Sequence, residues 1–210
     1  MERKLKKPVI YSLSAFLFTI VAGSFFFMTS ANSPYNYDQD YEYVSKLFDD
    51  GSAKVSKTSE TLLKPYTNDS VKIVRSFYDY KGKEEEQKNS IINYDQTYIQ
   101  NNGVSYGNDE EFDVISVLSG TVTSVKEDKL QGKMVTVENE NNVVTTYKSL
   151  SEVLVKENDV LDQGTIIGKS GKSNIDKDLG THVLFEMTID GTYVNAENYY
   201  GSEVSKLKVN

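Results

Sequence analysis

The sequence predicts a mainly β fold, an antiparallel β-sheet domain that follows one N-terminal transmembrane helix. Residues 9–29 are apolar or small and carry no charge. About 20 such residues, at about 1.5 Å each, cross the roughly 30 Å hydrocarbon core of a bilayer. From residue 65 onward, β-branched and aromatic runs alternate with turn residues, and no long helical period interrupts them.

Composition limits what the chain can be. Its 210 residues are 38% hydrophobic, enough for one modest domain plus an appendage. The net charge of -8 argues against a nucleic-acid partner, because a phosphate-binding surface needs clustered Lys and Arg. There is no cysteine, so disulfides and thiolate metal sites are excluded.

The first 64 residues are predicted to form a tail, an anchor and a tether. Residues 1–8 are basic, so the positive-inside rule keeps them in the cytoplasm and sends the chain after residue 29 across the membrane. A cleaved signal peptide is the alternative, but the apolar run exceeds the usual core of about 7–15 residues. Residues 30–64 are polar, with apolar residues at helical spacing between Tyr41 and Phe48, which predicts one short amphipathic helix in the tether.

Residues 65–210 contain a series of strand candidates. These are Val71–Tyr78, Thr97–Gln100, Val104–Tyr106, Phe112–Leu118, Gly120–Val125, Met134–Glu138, Val143–Tyr147, Ile166–Gly168 and Val183–Thr188. Two hairpins are expected, one with its turn at residues 101–103 and one with its turn at residues 139–142, because Asn and Gly suit tight turns. The charged run at residues 84–86 predicts a solvated loop or a helix start.

The only histidine, His182, stands at the start of the last of these strands. After it, Val183, Phe185 and Met187 alternate with Leu184, Glu186 and Thr188, the two-residue period of a strand with unlike faces. The residues around this histidine are therefore compared with known catalytic motifs.

Residues 104–200 resemble the lysostaphin-like zinc endopeptidases, whose domain is of the duplicated-hybrid-motif type. The family motifs G-x-H-x-H-F-E, H-x-x-x-D, Y-x-H-L, V-x-x-G-x-x-I-G-x-x-G and G-x-x-V-N are similar to Gly180–Glu186, Asp109–Asp113, Tyr147–Leu150, Val160–Gly171 and Gly191–Asn195. The resemblance implies a lysostaphin-like domain over residues 65–210 with its core at 104–200.

The same resemblance implies where a catalytic site would stand. The three zinc ligands of the family fall on Asp109, Asp113 and Leu184, and its two further histidines on Ser149 and His182. Leucine has no lone pair for a metal, and serine does not replace an imidazole. Two of three ligand positions and one catalytic histidine position are therefore replaced, and we expect a degenerate site with no enzymatic activity, no metal and no cofactor.

One alternative keeps a metal. Asp109, Asp113 and His182, with Glu110 or Glu111, would form a residual site. Such a carboxylate-rich set favours a hard cation over zinc, but the sequence does not supply the six or more oxygens that calcium prefers.

The segment before the domain core makes the family resemblance more specific. Leu63–Tyr66, Val71 and Ser76–Asp79 are similar to the corresponding part of the stage II sporulation protein Q family of endospore-forming bacteria. This implies a scaffold in the forespore membrane that binds stage III sporulation protein AH, anchored in the mother-cell membrane, across the intermembrane space. The resemblance further implies that the protein supports engulfment, self-associates into a ring and forms part of a forespore to mother-cell channel complex.

The partner surface is predicted from tyrosine-rich faces and strand edges, which suit a protein interface. Tyr78, Tyr80, Tyr98 and Tyr106 are the residues proposed, with ordinary strand packing as the alternative. Two other functions stay open: an inactive regulator or activator of peptidoglycan hydrolases, and an active peptidoglycan endopeptidase. Activators of that type commonly carry coiled coils, and this sequence has no long heptad run.

Overall fold

Strands dominate the part of the chain that the computed structural model describes, residues 59–209. The strands are β1 (Lys72–Arg75), β2 (Ile91–Tyr94), β3 (Thr97–Gln100), β4 (Val104–Gly107), β5 (Asp113–Ile115), β6 (Gly120–Asp128), β7 (Gly132–Asn139), β8 (Val143–Val153), β9 (Val160–Leu161), β10 (Ile166–Ser170), β11 (His182–Ile189) and β12 (Thr192–Val194). A short helix, α1 (Glu84–Asn89), precedes β2, and 3-10 turns occupy Lys177–Leu179, Ala196–Asn198 and Val204–Lys206.

Ten of these strands form one sheet. Its order is β1-β4-β11-β8-β7-β6-β9, with β10 bridging β5 and β8 and with β12 on β11. The remaining two, β2 and β3, form a separate hairpin. Neighbouring strands pair antiparallel, from β1 with β4 to β7 with β8. The predicted mainly antiparallel β fold is confirmed.

Strand β11 lies near the middle of the sheet, and its alternation is as predicted. Val183, Phe185 and Met187 are fully buried in the hydrophobic core. The Phe185 ring lies 5.2 Å from that of Tyr147 on β8, a tilted aromatic contact. The residues that alternate with them, from His182 to Thr188, have their side chains on the opposite face of the sheet.

One predicted hairpin is confirmed. Strands β7 and β8 pair across residues 139–142, where Asn141 and Asn142 have φ values of 60° and 55°. Asparagine tolerates this left-handed backbone better than most residues, which is why the turn could be identified from the sequence.

The other predicted hairpin is wrong. Strand β3 pairs with β2, not with β4, and β4 instead pairs with β1 and β11. The segment between β3 and β4 enters the sheet and does not reverse on itself: a Cβ on Gly103 would lie 2.2 Å from the carbonyl oxygen of Phe185. Glycine is required here for close approach of two backbones, not for a turn.

The segment before β1 packs against the C-terminal end of the domain. Leu62 is buried, and its backbone N–H donates to the Ser202 carbonyl at 2.9 Å. Tyr66 places its ring 5.1 Å from that of Tyr106. The packed body therefore includes residues just before the predicted start at residue 65.

The predicted cytoplasmic tail, the membrane helix at 9–29 and the helix at Tyr41–Phe48 lie outside the described residues. Between residues 59 and 209, no helix has both the length and the apolar character needed to cross a bilayer.

Candidate functional site

A cleft opens where β4, β11 and β8 run side by side. Leu184 on β11 pairs with Ser105 on β4 and with Lys148 on β8. His182 and Glu186 flank Leu184 at two-residue spacing, so these side chains share one face of the sheet. All five line a cavity of about 130 Å³.

His182 sits at one end of the cleft and is 2% exposed. Its Nδ1 lies 3.0 Å from the Gly180 carbonyl oxygen, which makes Nδ1–H the donor and leaves Nε2 as an acceptor 3.4 Å from the Ser173 hydroxyl. Burial lowers the pKa of His182, because the imidazolium loses its hydration. The ring is therefore neutral and held in one tautomer.

Ser149 reaches the same cavity through an unusual backbone. Neighbouring residues of a regular strand point to opposite faces, yet both Lys148 and Ser149 line the cleft. The φ of 63° at Ser149 accounts for this, and its N–H donates to the Gln131 carbonyl at 2.9 Å.

The far wall comes from the β2–β3 hairpin and the segment that follows it. Ile92 and Ile99 line the cavity with apolar side chains, as does Ile175, and Asn101 adds a buried amide. The Asn101 Nδ2 donates to the carbonyl oxygens of Ser76 at 2.9 Å and Gly103 at 2.8 Å. These two bonds fix the amide in one orientation.

Both carboxylates that line the cleft are paired with cations. Lys148 Nζ lies 2.7 Å from Glu186 Oε1, and both side chains are largely buried. Asp176 binds the Arg75 guanidinium through two hydrogen bonds, one of them 2.9 Å long. Neither carboxylate is free to act as a general base.

The structure does not bring Asp109 and Asp113, the predicted zinc-ligand positions, to this cleft, since neither of them lines the cavity. Asp113 begins β5 and forms an ion pair with Lys169 at 3.0 Å, and neither residue lines the cavity. Asp109 is exposed, as are Glu110 and Glu111. The reason is topological: β4 ends at Gly107, opposite His182, and the chain then leaves the cleft.

Asn101 and Ser105, unlike Asp109 and Asp113, lie in the cleft. They are four residues apart, the spacing of H-x-x-x-D, and both line the cavity with Ser149, His182 and Leu184. The signal that could have found them is this spacing where it runs into a strand that pairs with β11. Reading residues 101–103 as a hairpin turn concealed it.

These five residues do not fit zinc. Leu184 offers hydrocarbon, and Asn101, Ser105 and Ser149 offer neutral amide or hydroxyl oxygens, whereas zinc takes imidazole, thiolate or carboxylate. The one imidazole has both nitrogens within reach of protein groups. Throughout residues 59–209, no group of three or more His, Cys, Asp or Glu is arranged to hold a metal ion.

Comparison with known proteins agrees with this architecture. Residues 99–196 match peptidase family M23. The chain is 35% identical over 162 residues to stage II sporulation protein Q of Bacillus subtilis (strain 168), a match that covers 76% of this chain and 57% of that protein. It is also similar, at 34% identity and a TM-score of 0.69, to a chain in the structure of the SpoIIQ-SpoIIIAH pore forming complex, covering 72% of this chain and 100% of that one.

The chain belongs to the stage II sporulation protein Q family. A zinc containing peptidase from Vibrio cholerae shares the fold, with 17% identity and a TM-score of 0.53 over 72% of this chain and 41% of that chain. The described domain of this sporulation protein Q family member is thus peptidase-like with a degenerate site.

The four predicted partner tyrosines of this family member lie in different environments. Tyr106 is 0% exposed and donates to Glu197 Oε1 at 2.6 Å, so assigning it to a partner surface was wrong. Alternation on β4 points it into the core, toward Tyr66. Tyr80 and Tyr98 are 74% and 75% exposed, and Tyr78 is half-buried.

Tyr78 and Tyr80 line a wide groove next to the cleft. Its volume is about 710 Å³, and Tyr193 on β12 and Tyr199 also line it. Tyr98, on β3, is not among the groove residues. A hydrogen bond connects the linings of the groove and the cleft: the Tyr78 N–H donates to the Asn101 carbonyl at 2.9 Å.

Proposed function

We propose that this chain is a non-catalytic, membrane-anchored scaffold of endospore formation that binds stage III sporulation protein AH across the intermembrane space. One observation carries the proposal: the described domain aligns with the whole of a family chain that is part of a SpoIIQ-SpoIIIAH pore forming complex. The chain spans only 57% of the length of its curated relative, so the whole protein's role is inferred from this domain.

The geometry of the cleft supports the non-catalytic part. We assign the family's three metal-ligand positions to Asn101, Ser105 and Leu184, and its two further histidine positions to Ser149 and His182. Only His182 keeps the family's residue. Groups in one catalytic unit depend on each other, so a single remaining histidine supplies no useful rate.

The membrane part rests on the sequence. Residues 9–29 would anchor the chain in the forespore membrane with residues 1–8 in the cytoplasm, and residues 30–64 would carry the domain into the intermembrane space. Anchored copies arranged in a ring would multiply weak contacts with partners in the opposite membrane, which supports engulfment and a channel complex.

We place the partner surface at the groove of Tyr78 and Tyr80. Its aromatic side chains range from exposed at Tyr80 to buried at Tyr199, the combination that anchors protein interfaces. Tyr193 faces the same groove and is 46% exposed. Tyr98 offers a second, separate exposed ring on the β2–β3 hairpin.

The test is co-elution of the full chain with the extracellular domain of stage III sporulation protein AH, beside incubation with peptidoglycan. A joint peak and no released muropeptides support the scaffold. Chelator-sensitive cleavage contradicts it, and separate elution with stimulated wall hydrolysis favours the regulator of peptidoglycan hydrolases.

Two variants locate the surface. Tyr80→Ala removes a groove ring and is expected to weaken binding at least about thirtyfold, the loss of about 2 kcal/mol that defines an interface hot spot. Tyr98→Ala is its matched control, an equally exposed tyrosine outside the groove. Loss of binding in Tyr98→Ala alone would move the surface to the hairpin.

A further inference from the structure

Two buried acceptor oxygens in the cleft lack a hydrogen-bond partner. They are Oδ1 of Asn101 and Oε1 of Gln131, and both residues line the 130 Å³ cavity. Buried polar atoms are nearly always hydrogen-bonded, because an unpaired one retains the cost of its lost hydration. A pair of them in one cavity indicates a ligand that brings donors.

The orientation of Asn101 is set by the fold. Its residue is 1% exposed, and both amide hydrogens are directed to the Ser76 and Gly103 carbonyls. Oδ1 is therefore presented as an acceptor, and rotation of the amide would break two bonds to repair one.

The cationic side chains at the cleft and the Nδ1–H of His182 already have partners. Lys148 donates to Glu186, and the Arg75 guanidinium binds Asp176. The His182 Nδ1–H points to the Gly180 carbonyl. Because each cation of the site is neutralised by a carboxylate, an anionic ligand finds no free positive charge.

Part of the cavity lining is aliphatic. Ile92, Ile99, Ile175 and Leu184 line the cavity beside the polar residues. One water needs about 10–15 Å³ of such space, so the cavity accepts a group of several non-hydrogen atoms. Acceptors next to isoleucine and leucine side chains match a ligand with an apolar stem and a donor-only head.

We propose that the cleft binds a primary alkylammonium group, of which a lysine side chain is one source. The ammonium has three donors and no acceptor, which satisfies Asn101 Oδ1 and Gln131 Oε1 together, while the stem packs on the isoleucines. An alcohol of the same length brings one donor. The inference is independent of the proposed partner.

The probe is n-butylammonium chloride, titrated into the full chain labelled with nitrogen-15. Saturable shifts of the Asn101 and Gln131 side-chain amide signals are expected. Three related compounds should bind at least about tenfold more weakly. Sodium butyrate carries a negative charge and no donor, n-butanol is neutral and has one donor, and methylammonium lacks the alkyl stem. Nα-acetyl-lysine methylamide tests the source: binding assigns a peptide-borne lysine, and its failure beside bound butylammonium assigns a free amine.

Substitutions at Gln131 separate recognition from folding. Gln131→Glu should bind butylammonium at least about tenfold more tightly, because the hydrogen bond becomes charge-assisted, and Gln131→Leu should weaken it by a similar factor. Asn158→Asp makes the same charge change on an exposed loop outside the cavity lining and should leave affinity unchanged. No saturable shift, equal binding of butyrate, or a change in the same direction for both Gln131 variants overturns the proposal.

Discussion

Acidification from about pH 8 to pH 5 should destabilise the domain through one side chain, because His182 is the only histidine in the sequence. Its pKa is lowered from the ordinary value of 6.5, chiefly by burial, although the Gly180 carbonyl and Asp176 act in the opposite direction. The unfolded chain therefore binds the proton more readily than the folded one. Stability is complete above about pH 6.5 and is lost as the pH falls toward the lower pKa of the folded state.

One proton limits the size of the effect. The free energy of unfolding cannot fall by more than about 1.4 kcal/mol per pH unit from this group. Urea unfolding of the full chain and of His182→Gln at matched pH values isolates the effect, since the carboxylates titrate in both proteins. We expect the wild-type chain to lose more stability than His182→Gln as the pH falls. Equal losses, or a wild-type chain that gains stability in acid, would refute the argument.

Two other predictions concern the core and the cleft. Tyr106→Phe removes a buried hydroxyl that bonds the Glu197 carboxylate at 2.6 Å, and it should lower the free energy of unfolding by about 1.5–3 kcal/mol in urea denaturation. Asn101→His, Ser105→Asp and Leu184→His together should create a chain that binds zinc stoichiometrically, measured by metal analysis after dialysis, because the three side chains then meet at one cavity.

Matched controls exist for both. Tyr199→Phe removes a single bond to the Lys208 carbonyl at 2.8 Å and should cost about 0.5–1.5 kcal/mol, less than Tyr106→Phe. Asp109→His with Leu184→His leaves the new imidazoles apart and should hold no stoichiometric zinc. Zinc bound by that control and not by the triple variant would restore the original assignment of Asp109.

Local pattern was sufficient for much of the fold. The alternation of Val183, Phe185 and Met187 identified β11 and its buried face, because a strand that separates two environments carries a two-residue period. Asn141 and Asn142 marked the β7–β8 turn, because few residues accept their backbone conformation. That Leu184 cannot bind a metal was also visible in the sequence, because a leucine side chain has no lone pair to donate.

Pairing between distant segments was decided by the tertiary structure. Asn101 and Gly103 look like turn residues, but the sheet uses Gly103 to admit the backbone of Phe185 and buries Asn101 in the cleft wall. In the sequence, nothing distinguishes Tyr106 from the tyrosines that lie on the surface. Its strand pairs with β1 on one side and β11 on the other, and this position directs its side chain into the core. Sequence spacing fixes which residues share a face of one strand, whereas the cleft depends on which strands become neighbours, and that is settled by packing of the whole domain.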